Sequence, residues 1–308
     1  MSGQRRWWTI LIVGCVMLIV ISACGREISN SDGPQPDPAA AREPSRRLCA
    51  GAKARARYDH VVVVVMENKT WSDVLNGQGP WLTARKNQCA TATNYEQAGS
   101  PSRPNYIALA AGATYGCEGS NSDPPGGCTP PSPSVFKQVI DAGGTAKNYL
   151  GGAQSACDLT SEGTYAVKHA PWPYFEDERD LCLANSPAVG SFGFLDPKHL
   201  PTLAFVSPDL CDDTHDCSVA TGDEYLKALL NPILAAPSYR SGKTAVLVVY
   251  DEFTPLPNVL MSRSVRPGAI TSTVTHNAFL HTVQSMLGLP LLVEIGRASC
   301  RERVSGLV

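Results

Sequence analysis

Three separate places in this chain put oxygen-bearing side chains directly after a short apolar run. Glu67 and Asn68 follow the five valines of Val61–Val65 and Met66, and Asp251 and Glu252 follow T-A-V-L-V-V-Y at Thr244–Tyr250. The third is P-D-L-C-D-D-T-H-D at Pro208–Asp216, after Leu203–Val206, with His215 among its aspartates. Carboxylates gathered in one cleft repel each other unless a cation joins them. With oxygen donors dominant, a hard divalent ion such as Mg²⁺, Ca²⁺ or Mn²⁺ is favoured, and the histidines leave Zn²⁺ or Fe open. Ser102 lies in G-S-P-S-R-P-N-Y-I-A-L-A-A-G (99–112), on or just before a helix start, where N–H groups and the helix dipole favour an anion. A metal, a hydroxyl nucleophile and an anion cradle together suit phosphoryl transfer. Each part also has a plainer reading. Glu67-Asn68 can open a solvated loop, Ser102 can be only a helix cap, and Asp212 and Asp213 can serve only their loop. Ser100 is a weaker rival to Ser102, being farther from the helix start.

The apolar runs must be the elements that position these groups. Val61–Met66 is too short for a membrane span and reads as a fully buried, parallel strand. Thr145–Leu150, Leu203–Val206 and Thr244–Tyr250 read as further strands. In a parallel sheet their ends share one edge, and open α/β sheets bind ligands beyond the carboxyl ends of their strands. Helices are expected over Thr70–Leu82, broken around Gly77–Pro80; from Pro104 to a stop at Gly112; after a Ser134 cap; and from about Thr275 to Gly288. Thr221-Gly-Asp-Glu224 has the form of a capping box opening another helix that stops near Pro237. Between Gly151 and His199 lie Tyr165, His169, Trp172, Tyr174 and Phe175, which either wall a pocket or pack on one another. His60 and His199 read as structural.

Composition bounds the setting. Acidic and basic residues nearly balance, with a formal net charge of −2, so no electrostatic nucleic-acid binder is indicated. Arg5-Arg6, the apolar stretch Trp7–Ile21 and I-S-A-C ending at Cys24 have the form of a bacterial lipoprotein signal over 1–23, with Cys24 lipidated. A membrane span or a plain secreted protein are the alternatives. Residues 24–57, rich in Ser, Asp, Pro, Ala and Arg, read as a tether from the outer face of the plasma membrane to a domain over 58–293. Of 11 cysteines, Cys15 falls in the signal, and eight others (Cys49, Cys89, Cys117, Cys128, Cys157, Cys182, Cys211, Cys217) form an even set that in an exported chain implies disulfides. Sequence does not fix the pairing. Proximity suggests Cys117–Cys128 and Cys211–Cys217, then Cys157–Cys182 and Cys49–Cys89. E-I-G-R-A-S-C-R-E-R-V at Glu294–Val304 can be back-translated into sequencing-adapter DNA, so 294–308 is expected to be an assembly artefact and Cys300 to need no partner.

Taken in order, the strand before Glu67-Asn68, S-R-P-N-Y at Ser102–Tyr106, Y-A-V-K-H-A-P at Tyr165–Pro171, P-D-L-C-D-D-T-H-D, Y-D-E at Tyr250–Glu252 and T-H-N-A-F-L-H-T-V at Thr275–Val283 resemble the bacterial phosphoesterase family. That family holds acid phosphatases and non-haemolytic phospholipases C, relatives of the alkaline phosphatase superfamily. The resemblance implies a three-layer α/β/α sandwich with a mostly parallel central sheet. It also implies one divalent metal held by Glu67, Asn68, Asp251 and Glu252, with Ser102 as nucleophile. His215 and His169 would serve the leaving group, and Asn105, Asp216 and His276 would hold the phosphate-ester substrate. Two departures stand out: His281 where an arginine is expected, and Phe253-Thr254-Pro255 in place of glycines. The acid-phosphatase branch is expected over phospholipase C, and a non-catalytic metal- or solute-binding lipoprotein is the reading from another class. The resemblance leaves oligomeric state open.

Overall fold

The computed structural model describes residues 47–52 and 57–292, which belong to one compact unit. The proposed signal, Cys24, most of the tether and the tail from residue 293 on lie outside the described residues. Among the described residues ten strands form: β1 (His60–Met66), β2 (Ala90–Ala92), β3 (Tyr95–Glu96), β4 (Ala146–Gly151), β5 (Ala188–Val189), β6 (Leu203–Ser207), β7 (Thr244–Tyr250), β8 (Asn258–Met261), β9 (Gly268–Ile270) and β10 (Val274–Thr275). Eight of them make one sheet in the order β5-β4-β6-β1-β7-β8-β2-β9. The β5-β4-β6-β1-β7 half is wholly parallel, and β8 runs antiparallel to both β7 and β2.

β1 is central because it is apolar on both faces. Val61, Val63 and Val65 enter one core with Phe205, Leu247 and Val249, under helices Ser102–Ala111, Val135–Asp141 and His276–Leu287. Val62, Val64 and Met66 enter the other with Val206, Val248 and Tyr250, under helix Val219–Ala235. A period-2 strand with both sets buried requires helices on both sides, the three-layer α/β/α sandwich.

Several local expectations shift. The Thr70–Leu82 helix is three pieces, Trp71–Asp73, a π-turn Val74–Gln78 and Pro80–Lys86. The T-G-D-E at 221–224 does not open its helix. That helix starts one turn earlier, capped by the Ser218 hydroxyl, which accepts from Thr221 N. Glu224, which would close that box, pairs with Lys227 instead, and the Asp223 carboxylate accepts from Trp81 N (2.7 Å) and Leu82 N (2.9 Å), capping the Pro80–Lys86 helix from a distance. The aromatic segment is core rather than a pocket wall. Trp172, Tyr174 and Phe175 are buried, and Trp172 stacks on Phe136 with ring centres 4.6 Å apart.

The described disulfides are Cys49–Cys89, Cys117–Cys128, Cys157–Cys182 and Cys211–Cys217. The first corrects the tether boundary. Residues 50–52, expected to be linker, donate backbone bonds to Arg263 and Val265, and Leu48 O accepts from Tyr239. This docked segment belongs to the domain.

Candidate active site

β1 and β7 are hydrogen-bonded neighbours in register from His60↔Thr244 to Met66↔Tyr250, so Glu67 and Asp251 leave the sheet side by side. Asp251 N donates to Met66 O (3.0 Å), and Asn68 N donates to Asp251 Oδ1 (3.2 Å). Glu67 and Asp251 are fully buried, and Glu252 nearly so. Glu67 Oε1, Asn68 Oδ1 and Asp251 Oδ2 are buried without a hydrogen-bond partner. One carboxylate oxygen from each of Glu67, Asp251 and Glu252 lies within 4.8 Å of the others. Burial, reinforced by the Glu67 and Glu252 charges, holds Asp251 well above the usual carboxylate range. Burial also raises Glu252, against the opposing Ser102 hydroxyl. Three clustered acids, two of them with an unpartnered buried oxygen and together too close to ionise at once, fit a hard divalent cation. Glu67, His169 and His215 form a second, overlapping group of possible donors.

Ser102 is the first residue of its helix, and its Oγ stands 3.0 Å from Glu252 Oε1 and 3.2 Å from Glu67 Oε2. The hydroxyl thus sits at the acidic centre and is more than a cap. Ser100 hydrogen-bonds the other oxygen of Glu252 (3.3 Å), a fastening rather than a rival role. The helix start is poorer in donors than its position suggests. Pro104 has no N–H, and the Arg103 N–H is taken by Asn121 Oδ1 (3.1 Å). Asn105 is also spent on the backbone. Its Oδ1 accepts from Ala98 N and Gly99 N, and its Nδ2 donates to Gly99 O, so it braces the loop carrying Ser100 rather than reaching out to a substrate.

His169 is buried between acids, with Nε2 3.0 Å from Glu67 Oε1 and Nδ1 2.9 Å from Asp213 Oδ2. Neither contact is aligned as a hydrogen bond; both are ion-pair contacts. Burial works to lower its pKa, but Glu67 and Asp213 outweigh that and raise it to about 9. Reciprocally, His169 overcomes the burial of Glu67 and draws that carboxyl down. Tyr106 stacks on the ring at 5.2 Å. With both nitrogens committed to carboxylates, His169 braces Glu67 and is poorly placed to serve a leaving group.

Asp213, set aside as possibly loop-only, joins both histidines. Its Oδ1 also accepts from His215 N (2.7 Å). Asp216 Oδ1 lies 2.6 Å from His215 Nδ1 and orients the imidazole rather than a substrate, and Lys168 Nζ lies 3.1 Å from His215 Nε2. Asp212 is only partly buried and its backbone N–H is capped by Asp209. His276 is buried beneath the site. Its Nε2 meets Asp251 O at 2.8 Å and its Nδ1 meets the Tyr95 hydroxyl at 3.0 Å. Burial drops its pKa to about 4, so it is neutral, donating to the carbonyl and accepting from Tyr95. It positions Asp251 and makes no approach to a substrate.

Asp213, Lys168, Tyr95 and Tyr106 were not legible as site residues. Lys168, Tyr106 and Asp213 did carry a signal, their places in the Tyr165–Pro171, Ser102–Tyr106 and Pro208–Asp216 motifs; Tyr95 carried none. Backbone strain marks the same edge. Asn68, Thr214 and Phe253 have φ of +49°, +79° and +72°, one after each of β1, β6 and β7. For a β-branched or aromatic residue this is costly and persists only where surrounding contacts enforce it. Thr214 is held by its hydroxyl on Glu67 O (2.7 Å) and by Glu67 N donating to Asp213 O (2.8 Å).

Fold and site together define a three-layer α/β protein with acids and a serine at the carboxyl edge of a parallel sheet. A protein of the alkaline phosphatase superfamily from Vibrio parahaemolyticus superposes with a TM-score of 0.52 over 79% of this chain and 72% of that one. At 10% identity this likeness concerns the fold alone. Residues 81–255 match the Phosphoesterase family. A phosphatidylinositol-3-phosphatase of Mycobacterium tuberculosis is 30% identical over 252 residues, 78% of this chain and 80% of that protein. An acid phosphatase of Aspergillus fumigatus is 25% identical over 82% of this chain, which spans 59% of the fungal enzyme's length. The chain belongs to the phosphoesterase family and is a hydrolase acting on phosphoric ester bonds.

Proposed function

We propose that this chain is a metal-dependent, acid-phosphatase-like phosphomonoesterase in which Ser102 attacks phosphorus. The observation that carries this reading is the Ser102 hydroxyl between Glu252 Oε1 and Glu67 Oε2, two members of the buried acid cluster with Asp251. Glu67, Asn68, Asp251 and Glu252 would hold the cation, which when bound supplies Lewis-acid polarisation and neutralises charge. The chain's own groups do the rest. Ser102 Oγ passes its proton to Glu252 and forms a bond to phosphorus while the bond to the ester oxygen breaks. The departing oxygen takes a proton from bulk water at the rim. Water then displaces the serine from phosphorus, releasing phosphate and restoring the hydroxyl. His169, kept protonated between Glu67 and Asp213, keeps Glu67 ionised, and His276 with Tyr95 fixes the Asp251 backbone.

The Mycobacterium tuberculosis relative is named for a phosphate on an inositol lipid. A form tethered at Cys24 would meet such substrates at the outer face of the membrane, as the proposed signal (1–23) and the part of the tether before residue 47 imply. The disulfides accord with an oxidising, extracytoplasmic compartment. Among the described residues no helix is long and apolar enough to cross a membrane. Hydrolysis of a chromogenic phosphomonoester, measured with and without chelator and with vanadate, tests the reading. We expect turnover that is lost to chelator, restored by divalent metal and inhibited by vanadate. Metal binding without turnover of any ester would instead favour a non-catalytic binding lipoprotein. Faster turnover of phosphodiesters than of monoesters would favour the phospholipase C branch.

A further inference from the structure

The acids that suit a cation make the site hostile to its own substrate. Glu67, Asp213, Asp251 and Glu252 are all buried at this edge, so the centre meets an incoming phosphate with many acceptor oxygens and few donors. The Ser102 helix start offers few donors, because Pro104 has none and Asn121 occupies that of Arg103. A phosphomonoester brings two negative charges and three non-bridging oxygens, whereas a phosphodiester brings one charge and two such oxygens. Something positive is needed for the third oxygen.

We propose that Lys168 is that group: its ammonium binds the extra anionic oxygen of a phosphomonoester and so sets the preference for monoesters over diesters. This rests on the serine-phosphoesterase reading above and goes beyond it by assigning specificity to one side chain. Lys168 is half-buried, and its charge is felt at both Glu67 and Glu252. Its one hydrogen-bond partner among the described residues is His215 Nε2 at 3.1 Å. An ammonium only donates, so that nitrogen accepts, and His215 carries its hydrogen on Nδ1, toward Asp216 Oδ1 at 2.6 Å. Asp216 and His215, clasped by Cys211–Cys217, therefore point an acceptor at Lys168 and fix its direction. One of the three ammonium hydrogens is used in this way, and two remain for substrate oxygens.

The test compares Lys168→Gln and Lys168→Arg with the parent on p-nitrophenyl phosphate and bis(p-nitrophenyl) phosphate, with bound metal measured on each. A lost charge-assisted bond lowers kcat/KM by about 10- to 100-fold. We expect that loss for Lys168→Gln on the monoester, with a change of less than about threefold on the diester. Bound metal should be unchanged, inhibition by inorganic phosphate should weaken in parallel, and Lys168→Arg should recover most of the loss. An equal fall on both esters would mean that Lys168 only supports His215, and no fall on either would mean that it touches no substrate; both overturn the inference and leave the serine mechanism standing. A parent protein that turns over neither ester overturns the serine reading, and this inference with it.

Discussion

Glu67 shows how much one side chain has to reconcile. It is fully buried, yet His169 draws it toward ionisation, Ser102 leans on one oxygen, and its other oxygen has no hydrogen-bond donor. Asp251 is in the opposite condition, held protonated by burial and by its acidic neighbours until a cation compensates. Asp251→Asn should therefore lose metal and activity together, with partial rescue at high metal concentration, as metal analysis and turnover on one preparation would show. The same charges give the metal-free protein a pH signature. Asp251, Asp213 and Glu252 all have folded pKa values above the unfolded ones of ~4. Their stabilisation is complete below that range and is lost as pH rises through the folded values. His169, raised to about 9 from an unfolded ~6.5, adds stability that fades as pH climbs through 9. Glu67 works the other way, and so does His276, whose folded pKa of about 4 against an unfolded ~6.5 makes stability rise with pH up to ~6.5. Chelated protein should therefore melt at progressively lower temperature from about pH 6.5 to about pH 9.5, while metal-loaded protein should show a flatter profile. A chelated protein that grows more stable across that range would contradict the assignment of these charges.

At the scale of elements, β1, β6 and β7 were legible because each is a largely apolar run buried on both faces, and their carboxyl ends gave the acidic edge directly. β2, β8 and β9 were not, since three- and four-residue strands such as Ala90–Ala92 carry too little pattern to separate from loop. The misplaced helix start at Thr221 has a particular cause. Gly222 lies where helix Val219–Ala235 presses on the D-D-T-H-D loop, and a Cβ there would collide with Thr214 and touch Met66. The residues that look like a cap are packing and cross-capping residues instead. The Asp213–His169 contact links residues 44 apart, for which no local signal exists. Gly222→Ala should cost roughly 1–3 kcal/mol by overpacking, and should reduce kcat more than thermal stability predicts, because Thr214 is bonded to Glu67. Replacing Cys211 and Cys217 by serine removes only ~2 kcal/mol of chain entropy in the ideal case, since the loop spans six residues. Activity should fall further than Tm, measured by calorimetry beside turnover.

Across the whole molecule, the sheet brings residues 67, 102, 169, 213 and 252 to one edge, while Cys49–Cys89 fastens the chain's entry at another place in the domain. Composition could not reveal that fastening, because the six residues of 47–52 (R-L-C-A-G-A) are too few to carry a strand or helix pattern. A chain starting at residue 47 should keep full stability. One starting at Tyr58 loses the bridge across 40 residues, worth ~4 kcal/mol by chain entropy, and the backbone bonds to Arg263 and Val265. Its urea midpoint should fall markedly, and an unchanged midpoint would show the docked segment to be dispensable.

The central claim is that Ser102 itself is the group that attacks phosphorus. Single-turnover phosphate release by metal-loaded Ser102→Ala, set beside the parent, tests it most directly. The account predicts intact folding and metal content, with a rate lowered by about a thousandfold or more, as for other nucleophile deletions. A variant that retains a tenth or more of the parent rate would contradict it.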